Sequence, residues 1–475
     1  MPIENIIKNI RNIMRQDAGV SGDGQRIEQL AWMLFLKIFD DQEKYYEMRD
    51  DNFRSPIPEN LRWRNWADDP EGMTGDELLD FINNKLFPGL KNLSAKTENG
   101  RGQIVREVFE DANNYMKSGV SIRQVINEIN QIDFNKQDDR HLLNDIYEQI
   151  LKSLQSAGDY GEFYTPRPIT RFIVEMIDPK LKETVFDPAC GTGGFLVNTL
   201  EYVRGNYVKT KKQEETLQEA IYGTELKPLP YILSVTNMML HGVESPHNIR
   251  RDNTLAKSLT SYTPKDKVDV IVTNPPFGAS VQEGIEQNFP SDMRTKETAD
   301  LFLILFIHLL KPKGRAGVVL PDGSLFGEGV KTKIKQKLLE ECNLHTIVRL
   351  PPGVFNPYAG VNTNLLFFEK GEPTQEVWYY QLPLPEGMKQ YTKTRGITYE
   401  EFEPVKKWWN KRDNGDPNAW KVTIDRIKER NFNLDFKNPN GGEDKKQKDP
   451  KEIIKSIEDN EGQIISLITE IKKEL

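Results

Sequence analysis

A chain of 475 residues, 37% of them apolar, is long enough for two or three domains with a sizeable core in at least one. Its net charge of -8 excludes nucleic-acid binding through a uniformly basic surface, so any attraction to phosphate must come from a local basic face or from a partner. Two distant cysteines, Cys190 and Cys342, and five histidines without ligand spacing exclude a disulfide framework and a zinc site. No metal is expected, and the default compartment is the reducing cytoplasm.

The opening residues, MPIENIIKNIRNIMRQ, place acids and bases among the apolar positions and cannot form the core of a secretory signal. From here to residue 154 helical periodicity dominates. The segment Ile27 to Glu43 (IEQLAWMLFLKIFDDQE) is apolar around most of a helix, which predicts burial against several neighbours. The tract Asp51 to Asp69, with Trp63 and Trp66, reads as a long connection. A helical N-terminal domain over 1–154 is expected.

Residues 155–371 carry a different texture. Gly161-Glu162-Phe163-Tyr164-Thr165-Pro166-Arg167 precedes a helix over 169–177. These residues fit an ordinary cap and staple, and they also fit a cover over one end of a bound ligand. Between Thr184 and Phe368, short β-rich runs alternate with helix-length segments: ETVFD, AIYGTE, HNIRR, VDVIVTN, RAGVVLP, HTIVRL and NLLFFEK. Seven strands in an α/β sheet follow. The last two are joined by PPGVFNPYAGVNT, a loop rather than a crossover helix, so the seventh strand is expected to run antiparallel.

After the first strand, Asp187 opens DPACGTGGF, with Gly191, Thr192, Gly193 and Gly194 leading into a helix. Glycine there lets a ligand approach the backbone. A dinucleotide fingerprint fails because its third glycine position is Leu196, and no phosphate loop of the G-x-x-x-x-G-K-[ST] kind occurs. Glu225 closes the second strand and Asp252 follows the third. These acids can accept from the ribose hydroxyls and the adenine amine of a nucleoside cofactor, or be plain surface charges.

Asn274-Pro275-Pro276-Phe277 follows the apolar strand Val268 to Thr273. An aromatic exocyclic amine is a poor nucleophile because its lone pair is delocalised into the ring. The Asn274 side-chain oxygen and the Pro275 carbonyl can each accept one of its N–H bonds, drawing the nitrogen towards tetrahedral geometry, while proline fixes the backbone. Phe277 can stack on the ring. A glutamine side-chain amide presents the same two donors, so the motif alone specifies an amine and a plane, not a substrate.

Ala279 to Thr298 is polar and reads as a mobile cover beside this pocket. The apolar run Leu301 to Leu310 has ten residues, half of the about 20 a membrane span needs, and reads as a buried helix. Lys311, Lys313, Arg315, Lys331, Lys333, Lys335 and Lys337 can touch phosphates or form a solvated face. Residues 372–449 read as an extension of connections ending in a charged linker. Residues 450–475 form an amphipathic helix whose isoleucines make one seam, docking on a partner or on its own domain.

The glycine loop and amine motif together resemble the class I methyltransferases that modify amino groups of DNA bases. The fuller set, IEQLAWMLFLKIFDD, GEFYTPR, DPACGTGGF, NPPFG, GRAGVVLPDGSLF and LPPGVFNPYAGVNTNLLFFEKG, is similar to one family over nearly the whole chain: the modification subunit of type I restriction-modification systems. The resemblance implies a Rossmann-like seven-stranded sheet with a helical N-terminal domain and a helical C-terminal tail. It implies that Glu162 to Arg167, the Thr192-Gly193-Gly194 turn and Glu225 contact S-adenosylmethionine, that Asn274 to Phe277 form the base pocket, and that the product is N6-methyladenine. Two such chains are expected with one specificity subunit, which reads the DNA, and a separate motor subunit. Cys190, where many relatives carry a smaller residue, is assigned no chemistry. A free-standing DNA amino-methyltransferase and a non-catalytic assembly module are the alternatives.

Overall fold

The computed structural model describes residues 3–94, 100–132, 134, 164–356, 360–392, 394–413, 415–440 and 461. Glu162, Phe163, the boundary near residue 154 and, apart from residue 461, the helix expected over 450–475 lie outside them.

All seven expected strands form: β1 Val185–Asp187, β2 Ile221–Glu225, β3 Ile249–Arg251, β4 Val268–Thr273, β5 Leu310–Pro321, β6 Cys342–Arg349 and β7 Thr363–Lys370. The order β3-β2-β1-β4-β5 is parallel throughout, and β7 inserts antiparallel between β5 and β6, as expected from a connection read as a loop rather than a crossover helix. β4 is apolar because both its faces are covered. Val270 and Val272 meet the core built on helix Arg167–Ile177, while Val268 and Ile271 meet the core of helix Thr298–Leu309. The ten-residue apolar run is thus the buried helix expected.

The sheet does not end at seven strands. Residues after 371 add β8 Glu376–Gln381, parallel to β6, and β9 Ala419–Thr423, antiparallel to β8, making nine strands among the described residues. The expectation of mere connection there is corrected. Tyr379 stacks on Trp420 with ring centroids 5.3 Å apart and donates its hydroxyl to the Leu434 carbonyl at 2.9 Å. Short aromatic runs such as VWYY, set among polar residues, carry too little alternation to be seen without their partner strand.

The N-terminal region is helical, with long helices at Ile3–Gln16, Gly22–Arg49, Arg101–Glu110 and Gly119–Asn130. Helix Gly22–Arg49 is buried nearly all round from Ile27 to Glu43, and it packs on helix Pro228–Leu240 of the sheet region within one continuous apolar core. Three of its buried charges are paired, Lys37 with Asp41 at 2.6 Å and Asp40 with Arg64 at 2.8 Å, as burial of charge requires, while buried Glu43 accepts from the Ser55 hydroxyl and burial pushes its carboxyl up to about 7. The tryptophans of the connecting tract anchor it. Trp63 donates to Asn130 Oδ1 at 2.8 Å and Trp66 to the Leu61 carbonyl at 3.2 Å. No helix among the described residues is long and apolar enough to cross a membrane.

Candidate functional site

The strand order reverses between β1 and β4, and in open parallel sheets ligands bind at the carboxyl ends beside such a reversal. Asp187 ends β1, Glu225 ends β2, Asp252 follows β3 and Asn274 follows β4. Four residues chosen from sequence on separate grounds therefore stand at the tips of adjacent strands. A cavity of 310 Å³ lies there, with Pro188, Ala189, Gly191, Glu225, Asp252 and Asn274 in its wall, a size suited to a small molecule.

The glycine turn forms one side. Gly191 and Gly193 have φ of 52° and 81°, a region that β-carbons disfavour. At Gly193 a Cβ would also stand 2.8 Å from Ser234 Oγ and 3.3 Å from the Ser234 Cα. Glu225 holds the turn: its Oε2 accepts from the Gly191 N–H and its Oε1 from the Lys227 N–H, both at 2.8 Å. Thr192 is buried and its carbonyl accepts from Asn237 Nδ2 at 3.0 Å; Gly194 begins the following helix. Asp252 is exposed, its carboxylate accepting from the Asn253 N–H at 2.7 Å.

Asp187 is buried beneath the turn. Its Oδ1 accepts from the Thr273 hydroxyl at 2.6 Å and the Ala189 N–H at 3.2 Å, and its Oδ2 has no partner among the described residues. Burial pushes its carboxyl up to about 7, against the lowering effect of those two bonds and with a smaller push from the Glu225 charge. The folded chain therefore keeps a proton that the unfolded chain sheds above about pH 4. Stability from this group is full below that pH and declines as pH rises to about 7. The neutral Asp187→Asn variant should gain thermal stability relative to the natural chain as pH is raised from about 5 to about 8. Paired melting curves showing a pH-independent difference would contradict this.

The amine motif forms the other side. Asn274 Nδ2 donates to Thr165 Oγ1 at 3.0 Å, while Asn274 Oδ1 is buried with no partner among the described residues. An unsatisfied buried acceptor costs about 1–3 kcal/mol, so a ligand donor at this oxygen would recover a real penalty. Asn274 and Pro276 line the cavity; Pro275 and Phe277 are buried. Phe277 lies perpendicular to Phe355, with centroids 6.1 Å apart, so a second ring that sequence reasoning did not name packs on the motif; neither ring is in the wall of the 310 Å³ cavity. Phe355 sits in the β6–β7 loop, at the same end of the sheet; the signal was an aromatic in GVFNPY.

The segment before helix Arg167–Ile177 acts through this frame. Thr165 orients Asn274, Tyr164 is buried, and Pro166 caps the helix. Arg167 donates to the Gly194 carbonyl at 3.0 Å and ties the helix to the glycine turn; it is not in the wall of the 310 Å³ cavity. Ser234 and Thr273, which buttress Gly193 and Asp187, were not singled out from sequence.

Two surface features gain detail. The stretch Ala279 to Thr298 is a structured loop: Ser280 bridges to Glu297, Asn288 Nδ2 donates to the Leu255 and Ala256 carbonyls at 3.0 and 2.9 Å, and Phe289 is buried. Its first residues, Ala279 to Gln282, wall the cavity. Most of the basic residues proposed for phosphates are engaged. Lys311 pairs with Asp269 and Arg315 with Glu183, Lys331 bridges Glu297 and Asp300, Lys337 pairs with Glu341, and buried Lys335 donates to the Leu325 and Gly327 carbonyls.

Known proteins of one family match the chain in sequence and in fold. The sequence model of the N-6 DNA Methylase family matches residues 138–448, and that of the HsdM N-terminal domain matches residues 3–129. The chain is 56% identical to the methylase subunit of the EcoEI type I restriction enzyme of Escherichia coli, over 99% of this chain and 97% of that one. It is 31% identical to the EcoKI methylase subunit of E. coli K12, over 84% and 74%. Its fold matches a crystal structure assigned as the modification subunit of a type I restriction enzyme of Vibrio vulnificus YJ016, with a TM-score of 0.83 and 44% identity over 92% and 97% of the two chains. With the glycine turn, the strand-end acids and the Asn-Pro-Pro-Phe pocket in one fold, the chain belongs to the N-6 DNA methylase family, among the methylase subunits of type I restriction enzymes.

Proposed function

We propose that this chain transfers a methyl group from S-adenosylmethionine to the N6 amino group of an adenine flipped out of DNA, as the methylation subunit of a type I restriction-modification complex. The observation that carries this is Asn274 Oδ1, a buried acceptor with no partner among the described residues. It belongs to an asparagine whose orientation is fixed by Thr165.

The acidic cavity suits a cationic nucleoside. Glu225 and Asp252, at the tips of β2 and β3, would take the ribose hydroxyls and the adenine amine, and the Gly191–Gly193 backbone would face the amino-acid end, with Asp187 beneath. When bound, the cofactor supplies an electrophilic methyl on a positively charged sulfur that is its own leaving group. The work left to the protein is positioning and electrostatics. Asn274 Oδ1 and the Pro275 carbonyl would hold the two amine hydrogens, leaving the lone pair directed to the cofactor side. Phe277 and Phe355 would bound the plane of the flipped base.

The sequence is then chosen elsewhere. Residues 372–440 complete the sheet with β8 and β9 rather than building a separate recognition domain, which supports reading by a specificity subunit bound to two such chains. A motor subunit would convert the complex to restriction. Work in the cytoplasm on chromosomal DNA follows from this reading. Co-expression with its genomic neighbours, followed by mapping of modified bases, should give N6-methyladenine at one bipartite or continuous sequence. N4-methylcytosine would overturn the base assignment, and unmodified DNA with a folded complex would overturn catalysis.

A further inference from the structure

Arg251 ends β3 and is not used by the pocket described above. The parallel register sets it beside Glu225 of β2, and the next residue, Asp252, donates its backbone N–H to the Glu225 carbonyl at 3.0 Å. Its guanidinium leaves the sheet for the N-terminal helical region. There it pairs with Asp111, lies 3.6 Å from the Glu110 carboxylate and donates to the Glu107 carbonyl at 3.3 Å.

The same helix, Arg101–Glu110, makes two more links. The Glu107 carboxylate accepts from the hydroxyl of fully buried Tyr231 at 2.7 Å, and Tyr231 lies on helix Pro228–Leu240, which begins just after Glu225. At the other end buried Arg101 donates to the Glu244 carbonyl. The helical region therefore holds the chain at three points after Glu225: on the helix that follows it, in the loop before β3 and at the end of β3.

Local helix physics does not account for the acids at this contact. Glu107, Glu110 and Asp111 crowd a helix C-terminus that has no basic residue of its own in the last turn, where negative charge opposes the dipole. The compensating cation, Arg251, comes from the sheet. We propose that Arg251 is a positioning residue for the cofactor: its pairing with Asp111 lets docking of the helical region set the placement of Glu225 and Asp252, and so the affinity for S-adenosylmethionine. This rests on the assignment of those two acids to the cofactor.

The test is calorimetric titration of the full chain with S-adenosylmethionine. Arg251→Ala and Asp111→Asn should each weaken binding roughly three- to fivefold, the range for a half-exposed pair, and the double variant no further. In the assembled complex the change should fall on KM for S-adenosylmethionine and spare kcat. Glu225→Ala is the control and should lose binding. Wild-type affinity in both single variants, with binding lost in Glu225→Ala, would overturn the coupling and leave the cofactor assignment standing. Fully additive losses in the double variant would likewise overturn the pairing. Normal binding by Glu225→Ala would overturn the assignment itself. Asp111 is 45% exposed, so its variant carries the test if Arg251→Ala fails to fold.

Discussion

Replacing Asn274 by alanine should lower kcat for methylation by roughly 10²–10³-fold or more, with affinity for S-adenosylmethionine little changed. Alanine removes a buried acceptor that lines the cavity and has no partner among the described residues, and with it the contact proposed to become strongest as positive charge develops on the amine nitrogen. A loss confined to the rate identifies an interaction made in the transition state rather than in binding. Asn274→Asp keeps an acceptor at the same place and should retain more activity than alanine. Thr165→Val should lose less still, because it frees the Asn274 amide to rotate without removing it. Single-turnover methylation with the specificity subunit present, beside calorimetry with the cofactor, separates the two quantities. An alanine variant with unchanged rate would refute the role given to Asn274.

Gly193→Ala should weaken cofactor binding roughly ten- to a hundredfold, the equivalent of about 1–3 kcal/mol of backbone strain. Two effects combine. The φ of 81° is strained for any residue with a side chain, and the new methyl would enter the space of Ser234, whose Oγ and Cα lie 2.8 and 3.3 Å from the Cβ position. Ser234→Gly in the same chain removes the hydroxyl contact and leaves the φ cost, so the double variant should recover part of the affinity. Full recovery would place the whole effect in the collision, and no recovery would place it in the backbone. Melting curves of the three chains distinguish lost binding from lost folding.

The amine motif and the cofactor loop were legible in sequence because each is a contiguous run that fixes its own backbone: prolines in one, glycines in the other, each directly after an apolar strand. Glu225 and Asp252 were legible for the same reason, as acids closing short β-rich runs. The buttresses were not. Thr165 to Asn274, Thr273 to Asp187 and Ser234 to Gly193 join positions far apart in the chain, and nothing local marks a threonine or serine as the one that will be adjacent. Nor could sequence choose between phosphate contact and a solvated face for the basic residues, because their partners Asp269, Glu183 and Asp300 come from other elements.

By itself the sequence determined the helical and α/β regions, the seven strands with the antiparallel β7, and the place of Asn274 to Phe277 at the carboxyl end of β4, because periodicity and turn residues act over a few neighbours. Tertiary structure alone decided that β8 and β9 extend the sheet, that Phe355 joins Phe277, that Ala279 to Thr298 is a structured rim, and that Asn274 keeps one oxygen buried and without a partner among the described residues. Each of these depends on which long-range neighbour occupies a site. Hydrogen-bond satisfaction and burial are properties of that neighbourhood, not of the residue that a sequence displays.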